Sequence, residues 1–390
     1  MKNTFGSAVS VTIWGESHGP AVGAVLDGLP AGIPVDEALI AACMDRRRAR
    51  GDGLSTARTE ADAVRVLSGV YRGRTDGAPL ALLIENTNTR SGDYTPALLR
   101  PGHADFTAWE KYRGFQDPRG GGHFSGRVTA GLTAAGAVCL GALAARGVRV
   151  VTHLYACAGI ADTPFAADDP ALLAQQADAA AARTGFALID AAAEAPMQAA
   201  IRAAGAQGDS VGGILETAVL GLPAGAGEPF FDSVESVLAH LCFSIPAVKG
   251  IEFGAGFGFA ALRGSTANDA FRLRGGRVVT ATNRNAGLNG GITNGMPVVF
   301  RTAVKPTPSI YCEQQTVDYA AGAEAPLRIA GRHDPCIAPR AAIVQSCAAA
   351  IGLCDLLSAQ FGPGWLLPAD AHENAPQNAP GNAPAGEARR

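Results

Sequence analysis

Apolar and polar positions along this chain follow two rhythms. Short runs rich in β-branched or apolar residues predict strands at Ser10–Trp14, Val64–Tyr71, Pro79–Glu85, Val148–Leu154, Gly213–Leu220, Val248–Phe253 and Pro297–Val304. Longer runs predict helices at Asp36–Arg48, Phe106–Tyr112, Val128–Ala145, Pro170–Ala182, Asp232–Cys242 and Pro339–Phe361. Pro170 follows Asp168 and Asp169, where a first-turn proline belongs. The Ala/Gly-rich run "TAAGAVCLGALAA" has no polar face, so it is expected between layers. The rhythm ends near residue 365. Beyond it, "ENAPQNAPGNAPAGEARR" repeats Asn-Ala-Pro three times and cannot bury enough surface to offset ordering. The expected organisation is one catalytic domain, 1–365, and a disordered Asn/Ala/Pro-rich tail, 366–390.

Composition narrows the class. Of 390 residues, 47% are hydrophobic and 17% charged, a globular balance. A net charge of −3 provides no field of single sign for nucleic acid or an anionic membrane, so any polyanion site must be local. No secretory leader is visible, and no 18 apolar residues run uninterrupted, so the expectation is a soluble cytoplasmic protein without nucleic-acid or membrane partners. The eight cysteines show neither C-x-x-C nor metal-ligand spacing and read mostly as small core residues in a reducing compartment.

Chemistry concentrates in short polar islands bracketed by glycine. These are "WGESHG" (Trp14–Gly19), "DRRRARG" (Asp45–Gly51), "NTNTRSGDY" (Asn86–Tyr94), "RPGHAD" (Arg100–Asp105) and "GGGHFSGR" (Gly120–Arg127). Later come "SIPAVKGIEFG" (Ser244–Gly254), "GGITNGMP" (Gly290–Pro297), "KPTPSI" (Lys305–Ile310) and "GRHDPC" (Gly331–Cys336). The glycine triplet lacks the G-x-x-x-x-G-K-[ST] spacing of a nucleotide-hydrolysing loop. Four of the seven histidines, His18, His103, His123 and His333, fall in these islands, and histidine is the commonest general acid near neutral pH. None has the spacing of a metal site, and no metal is expected. Arg46, Arg47 and Arg48 end a predicted helix. They read either as a solvated last turn complementing the helix dipole or as forks for carboxylate and phosphate. Arg100, Arg127, Arg332 and Arg340 add further forks. Lys305 follows a strand, with hydroxyls at Thr307 and Ser309. Asp334 is either an ion-paired structural carboxylate or one held to take a proton.

Taken in order, "GESHG", "DRRR", "RPGHAD", "GGG…S-x-R", "SI-x-AVKG", "GGI", "KPT-x-SI" and "GRHDPC" resemble the chorismate synthase family over about Thr4 to Cys354. The resemblance implies an α+β fold, a β-α-β sandwich with a helical layer between antiparallel sheets, usually assembled as a homotetramer. It implies a carbon–oxygen lyase of the shikimate pathway that converts 5-enolpyruvylshikimate 3-phosphate to chorismate by 1,4-anti elimination of phosphate. The family requires reduced FMN without net redox change, with NADPH a candidate reductant. The two carboxylates and phosphate of that substrate account for the arginines.

Carried over residue by residue, the resemblance makes His18 the acid for the departing phosphate and sets His103 beside the reduced flavin. Asp334 with Ser17 and Ser125 forms the relay that takes the proton. Flavin contacts fall on His123, Phe124, Ser125, Pro246, Ala247, Gly290, Lys305, Pro306, Thr307, Pro308, Ser309 and Arg332. Substrate or NADPH contacts fall on Arg47, Arg127 and Arg340. Three departures stand out. His123 and Phe124 replace an Arg and a Ser of the common "GGGRSSAR"; a second arginine after DRRR has no clean match, with Arg50 or Arg58 as substitutes; and Pro246 stands where Asn is frequent. The alternative is a non-catalytic or reductase-type FMN-binding relative.

Overall fold

In a computed structural model, residues 2–56, 60–88, 97–331 and 333–368 are described. The first sheet holds β1 (Thr4–Phe5), β2 (Ser10–Gly15), β3 (Ala21–Asp27), β4 (Val64–Ser68) and β5 (Leu80–Glu85), in the order β1-β2-β3-β5-β4. The second holds β6 (Arg149–Cys157), β7 (Ile160–Ala161), β8 (Gly213–Leu220), β9 (Val248–Phe253) and β10 (Val298–Val304), in the order β9-β10-β8-β6-β7. Every pairing in both sheets is antiparallel.

Helices α1 (Glu37–Arg47), α2 (Asp105–Tyr112), α3 (Thr129–Ala144), α4 (Pro170–Ala182), α5 (Glu194–Ala206), α6 (Val234–Ser244) and α7 (Ala338–Phe361) complete the main elements. Asp36 starts α1 by accepting from the N–H groups of Ala38 and Leu39, and Asp169 does the same for α4 ahead of Pro170. Helix α3 packs on β3 and on α7, while α7 packs on β6, β8 and α6. A helical layer therefore lies between two antiparallel sheets, the anticipated α+β sandwich. Helix α4 adds a cover on the outer face of the second sheet, where Leu173, Ala177 and Ala180 meet Val151, Ala218 and Val299. The sequence reading did not place that cover.

The central helices have no polar face because they have no water-facing side. In α7 every residue from Ala341 to Ser358 is buried. Most of its polar members are satisfied inside: Gln345 bonds Thr302 and Thr217, Ser346 bonds Thr152, and Asp355 accepts from the N–H groups of Ser7, Ala8 and Val9, while the Ser358 hydroxyl has no partner among the described residues. The helical stretch Gly126–Ala144, which contains α3, and helix α7 are long and apolar enough to cross a bilayer, and both lie largely inside the protein. Small residues let the layers touch by backbone. A Cβ on Gly131 would stand 2.4 Å from the carbonyl oxygen of Gly23 in β3, and one on Gly136 would stand 2.4 Å from both Cβ and O of Cys347 in α7.

The observed elements match the expected ones to within about three residues at most ends. The expected strand Val64–Tyr71 divides at Gly69, whose φ of 84° turns the chain where a Cβ would stand 2.6 Å from Leu80 Cα. Strand β3, helix α5 and a ribbon of Gln314–Asp318 with Ala323–Leu327 were not anticipated. Seven cysteines are buried and Cys312 is half-buried, in keeping with core packing.

Gly136→Val is expected to cost at least about 2 kcal/mol, since overpacking against backbone has no cheap relief. Gly141→Ala on the same helix faces only Leu39 Cδ2 at 3.5 Å; it is expected to leave stability unchanged or raise it by about 0.5–1 kcal/mol. Urea midpoints of the two variants check the contrast.

Candidate active site

A cavity of about 610 Å³ collects the ends of many elements. Its walls are the β2–β3 loop, the last turn of α1, the segment leading into α3, the α6–β9 connection, the stretch after β10 and the start of α7. Among the anticipated residues it gathers Ser17, His18, Arg47, His103, His123, Phe124, Ser125, Arg127, Pro246, Ala247, Lys305, Thr307, Pro308, Ser309, Asp334 and Arg340. Two do not join it. Gly290 sits in the turn between Leu288–Asn289 and Ile292–Thr293, a ribbon tied to the start of α6 by the Val234 N–H donating to Gly291 O. Pro306 packs against Gly212 instead. Arg332 and Arg58 lie outside the described residues, as does most of the Asn86–Tyr94 island.

The glycine triplet serves the two histidines. Gly120, Gly121 and Gly122 all have positive φ, of 61°, 89° and 54°. A Cβ on Gly120 would lie 2.5 Å from His18 Nε2, and one on Gly121 would lie 3.3 Å from His103 Nε2. Adjacent glycines thus let one backbone segment pass against both imidazoles, while the Ser17 N–H donates to Gly122 O at 3.0 Å. His103 Nδ1 lies 2.8 Å from Asp105, which also takes Arg100 through Nε and Nη2 at 2.8 and 2.7 Å. Burial opposes ionisation of Asp105, but bonds from Arg100 and His103 outweigh it and hold the carboxyl well below the usual range. A carboxylate there fixes the proton on His103 Nδ1 and leaves Nε2 facing Gly121.

The arginines are already engaged. Arg47 Nη2 meets Asp62 at 2.5 Å, and Arg127 Nη1 meets both Asp62 and, at 3.0 Å, Glu60. Arg127 Nε donates to Asn86 Oδ1 at 2.8 Å and Nη2 to Glu85 O at 3.0 Å. Desolvation lowers Arg47 to about 10, with Asp62 pulling the other way. For Asp62, burial raises the pKa, but Arg47 and Arg127 outweigh it and keep the carboxyl depressed. Arg340 Nη1 donates to Asp334 Oδ1 at 2.7 Å and Nε to Arg47 O at 2.8 Å, and the Thr56 N–H reaches the same Asp334 oxygen at 2.9 Å. Asp334 is therefore both ion-paired and held at the cavity wall. Lys305 Nζ bonds the Gly102 carbonyl at 2.6 Å.

Sequence reasoning missed Glu60, Asp62 and Thr56. Asp62 was found only by the fold: it has a φ of 52°, a left-handed geometry aspartate tolerates, directly before β4. The only signal was a pair of acids spaced by one residue, without a flanking glycine.

The chain is similar to known proteins over most of its length. Residues 9–357 match the family model described as chorismate synthase. The chain is 46% identical over 357 residues to the chorismate synthase of Chitinophaga pinensis, covering 91% of this chain and 96% of the relative. It is 45% identical over 358 residues to that of Aeropyrum pernix, covering 91% and 93%. A solved structure described as chorismate synthase superimposes with a TM-score of 0.73 at 28% identity, covering 92% of this chain and 94% of that one.

Asp62→Asn is expected to destabilise the protein by about 3–5 kcal/mol, because it leaves buried guanidinium groups uncompensated. The folded pKa of Asp62 is depressed, so its contribution is complete above the unfolded value of about 4 and is lost as pH falls through the folded one. Wild-type stability, followed by denaturation between pH 7 and 3, is therefore expected to fall more steeply in acid than that of D62N.

Proposed function

This chain belongs to the chorismate synthase family, and from that premise we propose how its cavity performs the reaction. The activity is conversion of 5-enolpyruvylshikimate 3-phosphate to chorismate with loss of phosphate, a step of the shikimate pathway. The observation that carries the assignment of residues is the convergence of His18, His103, Arg47, Arg127, Arg340 and Asp334 from distant segments on one cavity.

The residues present fit a flavin phosphate and a polyanionic substrate. Among the described residues, Arg47 Nε and Thr307 Oγ1 are buried without a hydrogen-bond partner, and a buried donor left unpaired costs about 1–3 kcal/mol until an acceptor arrives. Thr307, Ser309, Lys305 and Ser125 would hold FMN with the Pro246–Ala247 backbone beside them. Arg47, Arg127 and Arg340 would meet the substrate, presenting what their ion pairs leave over. When bound, reduced FMN supplies the electron density that loosens the allylic carbon–oxygen bond, with no net redox change.

His18, set against Gly120, gives a proton to the departing phosphate. His103, oriented by Asp105, presents Nε2 toward the flavin side. Asp334, fixed by Thr56 and Arg340, takes the proton that the substrate carbon loses, with Ser17 and Ser125 lining the path. The enzyme is further read as one catalytic domain, 1–365, with a tail, 366–390, acting in the cytoplasm as a homotetramer. Exposed Phe230, Phe231, Phe257, Phe271 and Leu273 supply apolar surface for subunits to meet on.

The test is anaerobic turnover with dithionite-reduced FMN, following chorismate and phosphate together. One-to-one formation is expected, with His18→Ala and His103→Ala each lowering kcat by about 10²–10⁴ while FMN still binds. Absence of chorismate with flavin demonstrably bound would sink the assignment. A run with NADPH replacing dithionite asks whether the chain reduces its own flavin.

A further inference from the structure

Asp334 borders two spaces. Besides the main cavity it lines a second one, of about 270 Å³, that reaches α5 at Arg202, Gly205 and Ala206. Ser309 and His333 border both as well. Within GRHDPC, His333 is the one histidine of the polar islands to which neither flavin nor substrate gives a role. Its Nε2 lies 3.1 Å from Ala330 O, and a carbonyl only accepts, so the ring's hydrogen sits on Nε2. Burial first, then Arg100 and His103, disfavour the imidazolium against the opposing pull of Ala330 and Asp334. The resting ring is neutral at pH 7, with Nδ1 as its acceptor.

On the functional reading above, on which this inference rests, each turnover leaves a proton on Asp334. That proton must depart before the next substrate reacts, while the main cavity is filled by cofactor and product and its water is displaced. Both hydrogen bonds to Asp334 among the described residues fall on Oδ1, so Oδ2 is the oxygen left to carry it. We propose that His333 relays this proton from Asp334 to water in the second cavity, a proton exit separate from the route taken by substrate. The two side chains are not in direct hydrogen-bond contact, so a water of the second cavity bridges them: the Oδ2–H bond breaks to that water as the water gives up one of its own protons to form Nδ1–H. Ala330 O holds the resulting imidazolium through Nε2–H, and Nδ1–H then breaks to water or a buffer base. Carboxylate and neutral imidazole are both restored.

His333→Gln keeps an N–H for Ala330 O but has no titrating nitrogen, and His333→Ala leaves room for free imidazole. With reduced FMN under anaerobic conditions, both variants are expected to bind FMN and substrate within about twofold of wild type, by flavin fluorescence. Their kcat is expected to fall tenfold or more. In H333A the rate should climb saturably with added imidazole, to which wild type is indifferent; a merely structural role would show no such rescue. Undiminished kcat in the variants, or a loss that imidazole leaves untouched, overturns the relay alone. A wild-type enzyme that makes no chorismate overturns the functional reading and the relay with it.

Discussion

Three guanidinium groups share the wall of one cavity, and their mutual repulsion has to be offset for the site to exist. Asp62 does most of this by joining Arg47 to Arg127, with Glu60 on the second of them. Arg340 is neutralised separately by Asp334 and is tied to the others through the Arg47 carbonyl. Three cations thus meet three carboxylates inside the protein. The positive field left for ligands is smaller than the arginine count implies, and it is uneven, because the buried Arg47 Nε has no partner among the described residues while Nη2 is held by Asp62. A site built this way discriminates by geometry as much as by charge.

That geometry needs the rest of the fold. Arg47 ends α1, Asp62 precedes β4, Arg127 precedes α3 and Arg340 lies in the first turn of α7, so the network closes only if the helical layer and first sheet are held in register. The contacts at Gly131 and Gly136 do this with backbone against backbone, where no side chain can slide. The glycine triplet repeats the device at the site itself, trading conformational freedom for a surface on which two imidazoles can rest. Stability and chemistry therefore meet in the same small residues.

This explains what could be read in advance. Strands with strong β-branched content and the long apolar helices were legible, because their burial is written in composition. Strand β3 was not, since Gly23 in its middle looks like a breaker; the reason for it is that a Cβ there would strike Leu82 O and the Trp14 ring. Helix α5 hides behind Pro196, and the ribbon at Gln314–Leu327 behind its polarity. Glycine-bracketed islands pointed to most of the cavity wall. Asp62 escaped because its role depends on two arginines from other elements, and no local pattern marks a residue whose partners are remote. Gly290 illustrates the reverse: a recognisable motif whose place in the fold is a ribbon on α6.

The departure at His123 and Phe124 fits the same electrostatic logic. The two rings stack at 4.3 Å and 28°, and Tyr112 OH reaches His123 Nε2 at 3.2 Å. Where the common pattern places a fixed cation, this chain places an aromatic cluster braced from α2. Arg127 nearby is spent on Asp62 and Glu60, whereas among the described residues Lys305 Nζ bonds a neutral carbonyl and no carboxylate. The wall that begins with the glycine triplet thus sets flat apolar surface beside the flexible Lys305 ammonium, a surface suited to contact area more than to paired charge.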